Sequence, residues 1–168
     1  MNGLRSSGES LMVEEECTMN EKPRVVRQIM ETDLVTVTLQ DNIYEVAVKM
    51  KQHDIGFIPV VEGKTLIGVI TDRDLVVRGY AEKHSGSTAV KEVMSDQEVV
   101  AVSPETSVDE AARIMAKHQV RRLPVVENNE LVGVVAIGDL AVRSKLEQEA
   151  GEALSKISEK DKSSIGVN

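Results

Sequence analysis

The sequence predicts an α/β protein built from two β-α-β-β-α repeats, packed about a pseudo-twofold axis, with a helical extension at the C-terminal end. An internal repeat carries most of that prediction. IPVVEGKTLIGVITDRDLVVR (58–78) aligns without a gap on LPVVENNELVGVVAIGDLAVR (123–143). Pro59, Glu62, Gly68 and Asp74 fall on Pro124, Glu127, Gly133 and Asp139 at one constant offset. Hydrophobic periodicity supports it, switching from helical to strand spacing in the same order in each copy. The composition fits as well: aliphatic residues must form the core, because the aromatics are only Phe57, Tyr44 and Tyr80. Half-units of this kind expose one apolar face each and are stable when they bury it together.

Each copy is expected to open with a short helical turn, 26–30 and 90–94, followed by a short strand, 34–38 and 99–102. An amphipathic helix comes next. In the first copy it spans 43–53, with Ile43, Val46, Ala47 and Met50 on one face. In the second it spans 108–118, with Val108, Ala111, Ala112 and Met115 on that face. Asn42 and Ser107 each stand three residues before a glutamate, Glu45 and Glu110, so both helices carry the same capping box. Two hairpins follow. Strands 57–61 and 65–70 join through Glu62-Gly63-Lys64, and strands 123–126 and 131–135 join through Asn128-Asn129. A last helix spans 72–79 in the first copy and starts near Gly138 in the second. Leu146, Ala150, Ala153, Leu154 and Ile157 continue it at helical spacing, with a break expected at Gly151. The resulting organisation is a disordered tail 1–23, a first repeat 24–79, a linker 80–88, a second repeat 89–146 and a C-terminal amphipathic helix and tail 147–168.

Bulk properties exclude several functions. The net charge of −8 leaves no basic surface for sequence-independent nucleic-acid binding. A single cysteine, Cys17, excludes an internal disulfide and a multi-cysteine zinc site, and fits a reducing compartment. No apolar run approaches the roughly 20 residues of a membrane span, and the expected location is the cytoplasm. No nucleophile–base pair, Walker loop or G-x-G-x-x-G is present, so an enzyme is not expected. His53 and His118 occupy equivalent helix ends. They lack an acidic or cysteine partner at ligand spacing, and helix-dipole placement explains them better than a metal.

The repeats resemble the tandem cystathionine β-synthase (CBS) domain pair, the Bateman module, as found in stand-alone bacterial proteins. The resemblance covers residues 24–146. It rests on Gly68-Val69-Ile70-Thr71-Asp72-Arg73-Asp74, on the PVV strands after Pro59 and Pro124, and on the VKEVM-type opening turns. It implies a regulatory module that requires no cofactor and binds an adenosine-containing ligand between the repeats. AMP, ADP or ATP is expected first, S-adenosylmethionine second. A homodimer and a regulated partner protein are implied as well.

Within that resemblance the site residues take definite roles. Asp74 and Asp139 are expected to accept hydrogen bonds from a ribose diol. Thr71 adds a hydroxyl bond, and Gly68 lets backbone and ligand approach closely. Thr71 and Asp74 equally fit an ordinary helix cap. Arg121 and Arg122 face phosphates, or else protect a strand end. Thr36, Val37, Ile58, Pro59, Leu123 and Pro124, with Ala101 and Val102, wall a flat base while packing the core. In the second copy Ala136 replaces the threonine, so the Asp74 half is expected to bind more tightly. Ala136 also favours an alternative: a homodimeric adaptor whose clefts bind nothing.

Overall fold

The computed structural model describes residues 25–95, 98–144 and 151–158, with the side chains of 142–144 left aside. The expected tail 1–23, together with Leu146 and Ala150 of the extension, lies outside the described residues.

Both amphipathic helices form where their caps place them: α1 is Ile43–His53 and α4 is Val108–His118. The Asn42 side chain accepts from Glu45 N at 2.9 Å, and Glu45 accepts in return from Asn42 N at 3.1 Å. The second box is only half made. Ser107 accepts from Glu110 N at 3.1 Å, but Glu110 turns to the Arg113 guanidinium at 3.2 Å. Asn42→Ala should therefore cost about 1 kcal/mol, readable as a lower urea midpoint. Asp54 and Gln119 end the two helices in the left-handed conformation, at φ 52° and 55°. One further expectation changes: Ala47 is exposed, whereas its counterpart Ala112 is buried. The apolar face of α1 is thus narrower than that of α4.

Four strands form one sheet in the order β1-β2-β4-β3. β1 (Phe57–Glu62) pairs antiparallel with β2 (Thr65–Thr71), and β3 (Arg122–Glu127) pairs with β4 (Glu130–Ala136). Gly63 adopts φ +62° in the first hairpin turn, and Asn128 and Asn129 adopt φ 51° and 64° in the second, as a two-residue turn requires. The hairpins meet at their turn ends, where Thr65 pairs with Glu130 and Leu131 N donates to Lys64 O at 2.8 Å. The expected strands 34–38 and 99–102 reduce to single parallel bridges, Val37 to Val60 and Val102 to Val125. Proline explains this. Val37 N donates to Pro59 O, and Val61 N to Val37 O. The next rung toward the strand start needs an N–H at residue 59, which proline lacks, and Pro124 repeats the obstacle.

The first copy's last helix is α2 (Asp72–Asp74), which runs directly into a π-helical segment, Leu75–Tyr80. Its counterpart α5 spans Ile137–Ser144. Beyond it, α6 covers 151–158; Gly151, where a break was expected, is the first described residue of this helix.

The opening turns cross over. The 3₁₀ turn Val26–Gln28 belongs to the first copy in sequence, yet Val26 and Ile29 are buried in a core with Val108, Met115, Leu123, Val135 and Leu140 of the second. Val26 N donates to Thr106 O, and Glu31 and Val134 exchange backbone bonds at 2.8 and 3.0 Å. Arg27 adds ion pairs to Glu105 and Glu127, which raise the pKa of its guanidinium. Conversely, α3 (Val90–Val93) packs with Val37, Val46, Ile58 and Ile70 of the first copy. The structural halves are therefore out of phase with the sequence copies.

Candidate functional site

Gly68 and Gly133 show what the crossover demands. Both are buried, and a Cβ at Gly68 would overlap the Met94 methyl. At Gly133 it would lie 2.6 Å from Met30 Sδ and 3.1 Å from the Glu31 carbonyl oxygen. The close approach expected of Gly68 is thus to the methionine of an opening turn. The flexible Met94 tip can move aside, whereas the Glu31 backbone cannot. Gly133→Ala should therefore destabilise by about 1–3 kcal/mol, more than Gly68→Ala, as two thermal melts would show.

Two cavities lie where the halves face each other. The first, about 440 Å³, is walled by Leu34, Val35, His53, Ile55, Phe57 and Pro59 of the first copy and by Arg122, Val134, Ala136 and Asp139 of the second, with Glu31 and Asp33 at its edge. The second, about 580 Å³, takes Phe57, Val69, Thr71, Asp72 and Arg73 from the first copy and Val99, Val100, His118–Arg122 and Pro124 from the second. Ser95, Glu98 and Ile157 complete it. Both volumes suit a small organic ligand. Each cavity joins the helix start of one copy to the strand entry of the other, and Arg122 borders both.

Six of the expected site residues line these cavities: Pro59, Thr71, Arg121, Arg122, Pro124 and Asp139. Val37, Ile58 and Leu123 are core residues instead, at 1%, 0% and 0% exposure. Thr36 contributes its carbonyl oxygen, which accepts from Lys49 Nζ at 2.9 Å. Gly68 lies under Met94.

Asp74 is drawn back into its own helix start. Its Oδ2 accepts from Thr71 N and from Thr71 Oγ1, both at 2.8 Å, while Thr71 Oγ1 accepts from Asp74 N at 3.2 Å. The capping box is closed, Arg78 stands 4.0 Å from the other oxygen, and the side chain is only 16% exposed. At the equivalent place Ala136 offers no hydroxyl. Among the described residues Asp139 Oδ2 accepts only from Ala136 N, at 3.2 Å, and the carboxylate borders the first cavity. The hydroxyl that resemblance assigns to a ligand here donates to Asp74, whereas Asp139 has no such neighbour in its own helix start.

The cavities differ in charge. The first carries Glu31, Asp33 and Asp139 against Arg122; the second carries Asp72 and Glu98 against Arg73, Arg121 and Arg122. His53 and His118 stand at matching positions of the two walls. Their recurrence in both copies was the available signal, and helix-end electrostatics masked it. Among the described residues no three His, Cys, Asp or Glu side chains are grouped to hold a metal ion. No helix among them is long and apolar enough to cross a membrane.

Paired half-units, each with a hairpin and a capped helix, and two clefts between them define a tandem CBS module. The CBS domain family model matches residues 26–79 and 90–144, and the chain belongs to that family. It is 46% identical to the uncharacterized protein YlbB of Bacillus subtilis over 138 residues, covering 81% of this chain and 93% of that one. It is 48% identical to the CBS domain-containing protein YhcV of the same organism, covering 79% and 94%. Among solved structures it is similar to the CBS domain pair of protein MJ0100 in complex with 5'-methylthioadenosine and S-adenosyl-L-methionine. That pair has a TM-score of 0.63 and 25% identity, with 70% of this chain and 92% of that one covered.

Proposed function

We propose that this protein is a non-catalytic sensor whose inter-repeat clefts bind adenosine-containing ligands and pass their occupancy to a partner protein. The observation that carries the reading is the Asp139 carboxylate, left without a hydroxyl partner at the edge of a cavity built by both halves. An ionised carboxylate there accepts two hydrogen bonds from a ribose diol. Phe57, Pro59 and Val35 supply the apolar wall for a base. In the second cleft Arg73, Arg121 and Arg122 suit the phosphates of AMP, ADP or ATP. The MJ0100 pair, with two adenosyl ligands, supports this ligand class. Isothermal titration with AMP, ADP, ATP and S-adenosylmethionine tests it; absence of heat and of thermal stabilisation with all four would overturn it.

Ala136→Thr gives a sharper test. The new hydroxyl should capture Asp139 as Thr71 captures Asp74. It should raise stability by about 1 kcal/mol while weakening ligand binding at the first cleft. Equal or tighter binding would contradict the ribose assignment.

Signalling requires a ligand to favour one arrangement of halves or protomers. Tyr44, Val76, Val77 and Tyr80 are exposed on the helices of the first half, Tyr80 at 84%, and suit a homodimer contact. Sedimentation of Tyr80→Glu against the parent chain tests that role. The closed Thr71–Asp74 box favours a second reading, an adaptor with non-binding clefts. That reading gains if the titrations are silent while the dimer persists.

A further inference from the structure

Among the described residues, Phe57 and Arg122 alone line both clefts. They are equivalents: each opens the first strand of its hairpin, at the offset that relates the two copies. Phe57 pairs with Thr71 at one helix start, and Arg122 pairs with Ala136 at the other. The repeat thus sets one aromatic ring and one guanidinium beside both clefts, where strict symmetry would set two alike. The side of Arg122 is exposed, and among the described residues it forms no ion pair. The clefts depend on its charge unequally. Among the described residues, Arg122 is the sole Lys or Arg of the first wall, against Glu31, Asp33 and Asp139. The N–H groups of Thr32 and Asp33 donate to Glu31 Oε1, both at 2.9 Å, and hold that carboxylate in place. The second wall retains Arg73 and Arg121 against Asp72 and Glu98 without it.

We infer that Arg122 is shared between the clefts, so that the occupant of the second cleft sets the ligand class of the first. The inference rests on the ligand-binding role proposed above. A phosphorylated ligand in the second cleft, such as ATP, recruits Arg122 to its phosphates through charge-assisted hydrogen bonds. The first cleft then presents its carboxylates without that counter-charge. A second phosphorylated ligand is disfavoured there, because like charges meet at close range. An adenosyl ligand that carries positive charge is favoured. S-adenosylmethionine is of that class, since its sulfonium and ammonium outnumber its one carboxylate. Two phosphorylated ligands therefore oppose each other, whereas a phosphorylated and a cationic ligand assist each other. The assistance is reciprocal by linkage: S-adenosylmethionine in the first cleft strengthens ATP in the second by the same factor. The module then reports the joint presence of two ligands rather than either one.

The test is calorimetric titration of the full chain with S-adenosylmethionine, alone and with ATP filling its tighter site. In the parent, ATP should tighten S-adenosylmethionine binding by about tenfold, the scale of one hydrogen bond to a charged group. In Arg122→Ala, S-adenosylmethionine alone should bind about as tightly as it binds the ATP-loaded parent, and ATP should no longer change its affinity. The first of these results needs no ATP, so weaker ATP binding by the variant cannot mimic it. Arg122→Phe repeats the residue at the equivalent place and decides if Arg122→Ala loses its fold by circular dichroism. If ATP displaces S-adenosylmethionine from the parent, or leaves its affinity unchanged, the sharing is overturned. Coupling that persists in both variants also overturns it, because the clefts then communicate without Arg122. If neither ligand binds the parent, the sensor reading itself falls, a result distinct from two ligands that bind independently.

Discussion

Asp139→Ala is expected to weaken nucleotide binding at the first cleft by about 10- to 100-fold, corresponding to the roughly 1.5–3 kcal/mol carried by hydrogen bonds to a charged group. The fold should lose little, because among the described residues Asp139 accepts a single hydrogen bond, from Ala136 N. Asp74→Ala should behave in the opposite way. It removes an acceptor that serves both Thr71 N and Thr71 Oγ1 and leaves a closed cap open. Its main expected effect is a stability loss of about 1–2 kcal/mol. Titration and thermal melting of the two variants side by side separate the roles. A stable Asp74→Ala variant that loses all binding, beside an Asp139→Ala variant that binds normally, would reverse the assignment.

Ile29→Ala should destabilise the protein by about 2–5 kcal/mol, the usual range for truncating a buried isoleucine. Where the loss appears is the informative part. Ile29 lies in the first copy by sequence but is 2% exposed within the core of the second half. Hydrogen exchange should therefore accelerate first in β3, β4 and α4, with β1, β2 and α1 less affected. Val93→Ala should show the mirror image, because Val93 packs with Val46, Ile58 and Ile70. Loss of protection confined to β1 and β2 in Ile29→Ala would mean that the opening turns do not cross over.

The α1 and α4 helices were legible because their signals are local: a capping side chain, a glutamate three residues on, and apolar residues at helical spacing. The hairpins were legible for the same reason, through Gly63 and the Asn128-Asn129 pair. The segments 34–38 and 99–102 read as strands because valine and threonine favour extended backbone. What limits them to one bridge is a missing N–H on Pro59 or Pro124, a residue far along the chain. At the site, Arg121, Arg122, Pro59, Pro124 and Asp139 were legible from repeat and charge. Val37, Ile58 and Leu123 were not separable from cavity walls, since an apolar side chain reads alike whether it meets a ligand or a core. Ile157 showed as one residue of an amphipathic helix, and nothing nearby in sequence marks the cleft it lines.

The repeat, the order of elements and the pairing of Asp74 with Asp139 follow from the residues alone, because each depends on contacts a few positions apart or on comparison of one copy with the other. The crossover of the opening turns, the capture of Asp74 by Thr71 and the place of Ile157 in the wall of one cleft emerge in three dimensions. Two similar copies present similar grooves above Gly68 and Gly133, so periodicity fits either opening turn to either groove. The choice depends on where the chain can travel and on which methionine fills which space. The Thr71 hydroxyl likewise can bond a ligand or a carboxylate equally well. Its partner is set by the helix start, which places Asp74 Oδ2 within 2.8 Å and leaves the Asp139 carboxylate facing the open cavity.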